Sequence, residues 1–270
     1  MTYADTDPLP GLPFVRVYNE NERATGDGFF GPGWNTLLDA WYTPFDEPYG
    51  RGTVVVELGD DVTRVFRLIN SVQYVKVWPL DGGTSEDLAF DGTYFTYRDL
   101  RTGRDYKFGD IWDRRLASVK ELATGREIRI TRNYGHTPIR VEDSWGNWAW
   151  NLTVNSQNSI SRVELEGDPS VAWTYTYGAG NDRRLMSVQG PGGAPWRTYS
   201  YASVPGGWAI SEVRDGAGRV IESHSYSGHR ATSSLGHENE VTNTRALTTR
   251  RRSDEGASRT PNGGKTFWTS

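Results

Sequence analysis

Polar and apolar residues alternate one by one along short stretches of this chain. In Arg162-Val163-Glu164-Leu165-Glu166 and again in Glu127-Ile128-Arg129-Ile130-Thr131, every second residue is apolar. That spacing belongs to a strand with one buried and one wet face. The alternation returns in blocks. Five segments align, at residues 116–134, 138–154, 160–177, 185–201 and 208–226. Each opens on an apolar residue and carries a valine near the end of a short strand: Val119, Val141, Val163, Val188 and Val213, spaced 22, 22, 25 and 25 residues apart. A glycine-bearing turn follows, such as Trp145-Gly146-Asn147 or Glu166-Gly167-Asp168. Then comes a second alternating strand that usually ends on tyrosine, as in Trp173-Thr174-Tyr175-Thr176-Tyr177. A fixed period of this length predicts stacked units, each packing on its neighbours. Glycine and asparagine at the turns supply positive φ at little cost. The expected class is all-β: tandem antiparallel hairpins in a curved, open, spiralling sheet.

Outside residues 111–244 the pattern is less regular. Residues 1–13 hold three prolines and read as an extended lead-in. Phe14-Val15-Arg16-Val17-Tyr18 is a short alternating strand. Residues 14–110 form an opening region of degenerate units, with strands expected at 53–58, 64–68, 73–78, 92–97 and 105–108. Beyond Tyr226 another unit begins at Arg230. From Arg245 the register is lost, and 245–270 reads as a basic, disordered tail. A truncated or frame-shifted end explains that loss, with a natural basic tail as the alternative.

Composition supports the pattern. Gly 31, Trp 11 and Tyr 14 among 270 residues suit a β-repeat, and no long segment has helical period. The net charge of -4 gives no polyanion-binding signal, although it is uneven. Residues 245–270 are net basic, while the remainder is acidic. That tail has no interleaved aromatics in register and no fold around it, so no nucleic-acid partner is expected. Cysteine is absent, which removes disulfides, thiolate metal sites and cysteine nucleophiles. No membrane span and no signal peptide is expected, and Met1-Thr2-Tyr3-Ala4-Asp5 reads as preceded by further sequence.

Candidate chemistry is sparse. Residues 26–31 spell G-x-G-x-x-G, yet Pro32-Gly33 stands where a helix should begin, so the stretch reads as a turn planting Phe30 and Trp34 in the first core layer. His136, His224 and His229 and His237 lack ligand spacing and read as surface or edge residues, so no metal or cofactor is expected. Asp60-Asp61 reads as turn chemistry, Glu86-Asp87 and Glu142-Asp143 as solvent-facing strand ends. No G-x-S-x-G elbow exists. Trp148, Trp173 and Trp196 are the candidates for stacking on sugar rings. Their phase matches the apolar face, so a core role is the competing reading. The sequon at Asn151 lies mid-strand and is discounted.

Arg16-Val17-Tyr18-Asn19, followed by Phe30-Gly31-Pro32-Gly33-Trp34, resembles the start of the bacterial Rhs (rearrangement hot spot) repeat region. Arg214-Asp215-Gly216-Ala217-Gly218-Arg219-Val220-Ile221, leading to Tyr226, is similar to the tyrosine–aspartate (YD) repeats of that family. The resemblance spans roughly residues 12–244. It implies a strip of hairpins that spirals, in full-length relatives, into a hollow shell around a C-terminal toxin or effector of secreted or cell-surface bacterial competition proteins. The chain departs from the family in lacking its Asp-Pro self-cleavage ending and a toxin domain, and it is shorter than a closed shell requires. The resemblance implies a non-enzymatic structural role, with further repeats and a C-terminal toxin as partners. A glycan-binding or adhesion module is the alternative. Packing residues, not a catalytic set, are expected to matter: Arg16, Tyr18, Asn19, residues 30–34, the five valines, Gly218, Arg219 and Tyr226.

Overall fold

The computed structural model describes residues 2–9, 12–20, 28–45, 52–59, 62–69, 73–78, 85–228 and 230–236. The expected tail at 245–270, together with His229, His237 and Asp60-Asp61, lies outside the described residues. The fold is all-β. A three-stranded sheet is formed by β1 (Thr2–Leu9), β2 (Leu12–Asn19) and β3 (Trp34–Asn35). A second sheet of 18 strands follows in sequence order. Its opening region holds β4 (Trp41–Phe45), β5 (Thr53–Glu57), β6 (Thr63–Leu68), β7 (Gln73–Trp78), β8 (Glu86–Phe90), β9 (Phe95–Asp99) and β10 (Arg104–Phe108).

The repeats supply the remaining strands, one hairpin to each unit. They are β11 (Leu116–Glu121) with β12 (Glu127–Arg132), β13 (Pro138–Asp143) with β14 (Ala149–Val154), and β15 (Ile160–Leu165) with β16 (Asp168–Tyr177). Then come β17 (Leu185–Gln189) with β18 (Pro195–Val204), and β19 (Gly207–Asp215) with β20 (Val220–Ser227). The last strand, β21 (Arg230–Gly236), pairs antiparallel with β20.

Antiparallel pairing from each strand to the next places the connecting turns in two rows, one along each border of the sheet. Three of the turns share a device. The Asn133 side-chain oxygen accepts from the backbone N–H of Gly135 and Thr137, at 2.9 and 3.1 Å. Asn155 does the same for Gln157 and Ser159, and Asp215 for Ala217 and Arg219. The fourth residue of each turn is left-handed: His136, Asn158 and Gly218, with φ of 61°, 60° and 80°. A short polar side chain that mimics the backbone in this way fixes a tight turn. Turns along one border are also tied to each other. Thr137 Oγ1 donates to Asn158 Oδ1 at 2.9 Å, and Arg183 Nε donates to Ser159 Oγ at 3.2 Å.

The first part of this 18-stranded sheet, from β4 to β11, closes on itself. The closing contact is a bridge between Trp41 and Arg115, flanked by Tyr42 N–H to the Arg114 carbonyl and Leu116 N–H to the Ala40 carbonyl. Strands β4 to β11 therefore ring a core of Tyr42, Val54, Val56, Phe66, Leu88, Tyr97, Phe108 and Leu116. A second core lies between the three-stranded sheet and the repeats. It joins Tyr3, Tyr18, Phe30 and Trp34 to Val141, Trp150, Val163, Tyr175, Val188, Tyr199 and Val213.

Several expectations change here. Residues 1–13 do not form a mere lead-in, because β1 pairs along its whole length with β2. Its burial alternates residue by residue, with Tyr3, Asp5, Asp7 and Leu9 inward. Strands β4 and β8 were not expected, and the strand placed at 92–97 runs from Phe95 to Asp99 because Asp91 holds a turn that takes Thr93 and Tyr94 out of the ladder. Phe30 and Trp34 are buried as expected, but against distant repeats rather than the neighbouring units. Phe30 meets the Tyr175 ring at 4.9 Å and Trp34 meets Tyr199 at 5.1 Å. The hairpin units pack on their neighbours; the N-terminal sheet does not obey that rule.

Candidate functional site

Among the described residues, a dense constellation of polar side chains is buried where the N-terminal sheet meets the repeats. In β1–β2 the register sets Asp5 opposite Arg16. Alternation then turns Arg16 to the same interior as Asp5 and Asp7. The Arg16 guanidinium donates to Asp5 Oδ2 at 3.1 Å and to Asp7 Oδ2. It also donates to the Tyr199 hydroxyl at 3.2 Å. The Tyr175 hydroxyl donates to Asp7 at 2.7 Å, and the Tyr199 hydroxyl donates to Asp5. Arg197 on β18 stands 3.4 Å from Asp5. Two cations and two carboxylates thus meet in one seam, and Arg16 is 0% exposed.

Electrostatics follow from that burial. Burial alone disfavours the Arg16 cation, but Asp7, Tyr199 and Asp5 more than offset it and hold its pKa above the ordinary range. Burial pushes the Asp7 carboxyl up, against the pull of Arg16. Burial also raises Tyr175 and Tyr199, with their aspartate neighbours adding to the effect, so both phenols stay hydroxyl donors. The guanidinium lies 5.3 to 5.8 Å from the ring centres of Tyr175, Phe30 and Trp34. Such a network fixes one arrangement of two elements far apart in sequence. All of its members are buried.

The glycines of the Phe30–Trp34 stretch serve close approach. A Cβ on Gly31 (φ 95°) would lie 2.0 Å from the Arg183 carbonyl oxygen, and one on Gly33 (φ 81°) 2.6 Å from the Tyr18 ring. Pro32 sits between them. Asn19 continues the seam, its backbone N–H donating to the Gly33 carbonyl at 2.7 Å. All five repeat valines are buried. The tyrosines that end the units form a second series. Tyr177 donates to the Ile160 carbonyl at 2.6 Å, Tyr201 to Leu185 at 2.8 Å and Tyr226 to Ile210 at 2.6 Å. Each hydroxyl closes its own hairpin on the strand that opened it. Arg219 lies at the rim, 2.5 Å from Asp215, with Gly218 in the turn between them.

The tryptophans nominated for sugars face the core. Trp173 is 3% exposed, and Trp148 and Trp196 pack against the same cluster. Other assignments also change. His224 is buried, 2.8 Å from Glu222, because β20 turns it inward. Asp143 is a buried turn anchor bound bidentately by Arg126 at 3.0 and 3.2 Å. Glu86 is buried too, gathering Lys76, Arg64 at 3.7 Å and the Tyr97 hydroxyl at 2.7 Å inside the ring of strands. His136 stays in an exposed turn, 3.1 Å from Asp113.

Sequence reasoning listed Arg16 among the packing residues but missed its buried partners Asp5, Asp7, Tyr175, Arg197 and Tyr199. The signal was present in Tyr3-x-Asp5-x-Asp7-x-Leu9, where carboxylates occupy the inward positions of a strand. Among the described residues, no group of three or more His, Asp or Glu side chains is arranged to hold a metal. No helix among them is long and apolar enough to cross a membrane. The site and fold define an all-β hairpin-repeat protein with an N-terminal sheet keyed into the repeats. No protein-family model matches the chain, and no curated protein matches it.

Proposed function

We propose that the chain works as a non-enzymatic wall element, part of a Rhs-type shell that encloses a C-terminal toxin or effector of a secreted or cell-surface bacterial competition protein. The observation that carries this reading is the way the N-terminal sheet is keyed into the repeats through Arg16. Repeat arrays must bury the apolar face that successive units present, and the N-terminal sheet packs on that face from β13 to β19. The conspicuous buried polar groups hold elements together, which suits a wall. The outer edge of β21 is where a further hairpin would add.

Protease protection of the natural gene product tests this. The reading expects a segment downstream of the repeats that survives protease while the shell is intact and becomes cleavable when Arg16 is replaced. A downstream segment digested at the same rate with or without Arg16 would overturn it. So would robust turnover of a substrate by the purified 270-residue chain.

A further inference from the structure

A cleft of about 410 Å³ opens where the β16–β17 loop, the β18–β19 turn and Pro32 come together. That volume lies in the range of about 300–1,000 Å³ found for small-molecule sites. Its walls include Asn181, Asp182, Arg184, Tyr201 and Trp208. These groups are preorganised. The Arg184 Nε donates to both Asp182 oxygens at 2.8 and 2.9 Å, and Nη2 donates to Oδ2 at 2.5 Å. The same guanidinium lies 3.9 Å from the Trp208 ring centre and 5.5 Å from that of Tyr201. A Cβ on Gly178 would fall 2.0 Å from Asp182 Oδ2, so the loop is shaped around that carboxylate. The Tyr201 hydroxyl is fixed by Leu185 and receives the Trp34 indole N–H at 3.2 Å. Tyr18 donates to the Trp208 carbonyl at 3.0 Å, which anchors that strand while its indole stays 44% exposed.

The chemistry of these walls selects a ligand class. Asp182 and Arg184 neutralise each other. Arg183, which also lines the cleft, directs its guanidinium to Ser159 Oγ and the Gly28 carbonyl at 3.2 and 3.1 Å. A charged group entering beside Asp182 and Arg184 would therefore have to break a bidentate ion pair. A neutral polyol need not. Its hydroxyls can donate to the spare carboxylate lone pairs and accept from the remaining guanidinium protons. Asn181, exposed on the loop, offers both a donor and an acceptor. The half-exposed indole suits a ligand with one apolar face and a polar rim. A pyranose ring has both.

We propose that this cleft is a carbohydrate site for a neutral pyranose, whose C–H face lies against the part of Trp208 that the Arg184 guanidinium leaves exposed and whose hydroxyls engage Asp182, Arg184 and Asn181. The site is separate from the three core tryptophans. It needs no enclosed cargo, so its failure would leave the wall reading standing.

Saturation-transfer NMR on the 270-residue chain tests it, with glucose, galactose, mannose and N-acetylglucosamine as probes and N-acetylneuraminic acid as the charged comparison. The expected result is transfer to the ring C–H protons of at least one neutral sugar, weakened about tenfold or more in Trp208→Ala. Trp208→Phe should retain part of it, and Asn181→Ala should reduce it. Asn181 is exposed, so that variant keeps the test valid if Trp208→Ala does not fold. No transfer from any neutral sugar would overturn the proposal. Transfer unchanged in a folded Trp208→Ala or Asn181→Ala chain, or a preference for the acidic sugar, would do the same.

Discussion

Arg16 joins more of the molecule than any other single side chain described above. It bonds two aspartates of its own hairpin partner and a tyrosine of β18, with three aromatic rings around it. Removing it strands Asp5 and Asp7 in a dry interior. Arg16→Met should therefore cost about 3–5 kcal/mol in urea unfolding. The triple change Arg16→Met, Asp5→Asn, Asp7→Asn should recover part of that loss. A single substitution within about 0.5 kcal/mol of the parent would contradict the seam, since that is the range of ordinary surface changes. The hairpin-closing tyrosines are a milder case. Tyr177→Phe removes one bond to a carbonyl and should cost about 0.5–1.5 kcal/mol.

The aspartates also give opposite responses to pH. Arg126 holds Asp143, and Arg219 holds Asp215, below the ordinary carboxyl range. Their stabilisation is present above the unfolded value of about 3.9 and is lost as pH falls through the depressed one. Burial raises Asp7 and Asp39 instead. Their contribution is complete below about 3.9 and is lost as pH rises through the raised value. Urea melts between neutral and acid pH should show the parent losing its advantage over Asp215→Asn on acidification. Relative to Asp7→Asn the parent should gain. Parallel curves for the two variants would contradict these assignments.

At the scale of elements, glycines separate two kinds of demand. Gly218 (φ 80°) has open space where a Cβ would go, whereas Gly31 (φ 95°) has the Arg183 carbonyl there. Gly218→Ala should cost about 1–2 kcal/mol, the penalty for a left-handed residue. Gly31→Ala should cost clearly more, because two backbone segments must part. Equal melting points would mean that the 28–34 turn does not press on the β16–β17 loop. Within the repeats, Val163→Ala should cost about 1.5 kcal/mol or more, from two buried carbons.

The same contrast explains what could be read in advance. The five hairpins were legible because alternation, valine spacing and terminal tyrosines are local properties of each unit. Strand β8 was not, since Glu86-Asp87 looks solvent-facing until Lys76 and Arg64 are placed beside it. The docking of Phe30 on Tyr175 is a contact between residues with no local relation, and no period announces it. The turns at Asn133 and Asn155 were half-hidden. They use His136 and Asn158 at the left-handed position, where a search for glycine finds nothing. The Trp208 cleft was illegible for the same reason as the seam, being assembled from three distant segments.

For the whole molecule, no strand among the described residues pairs with the far edge of β21, so the sheet is extendable there. A strand edge without a partner templates association. The chain on its own should therefore self-associate with rising concentration, measured by light scattering after size exclusion. Thr232→Lys, on the exposed side of β21, should weaken that association. A strictly monomeric chain at all concentrations would argue against an available edge. The most direct measurement is an electron cryomicroscopy map of the natural gene product at strand-resolving resolution. The account predicts a further strand hydrogen-bonded along β21, and repeats that continue around an enclosed volume containing a C-terminal segment. A map with β21 facing solvent and no enclosed volume would contradict it.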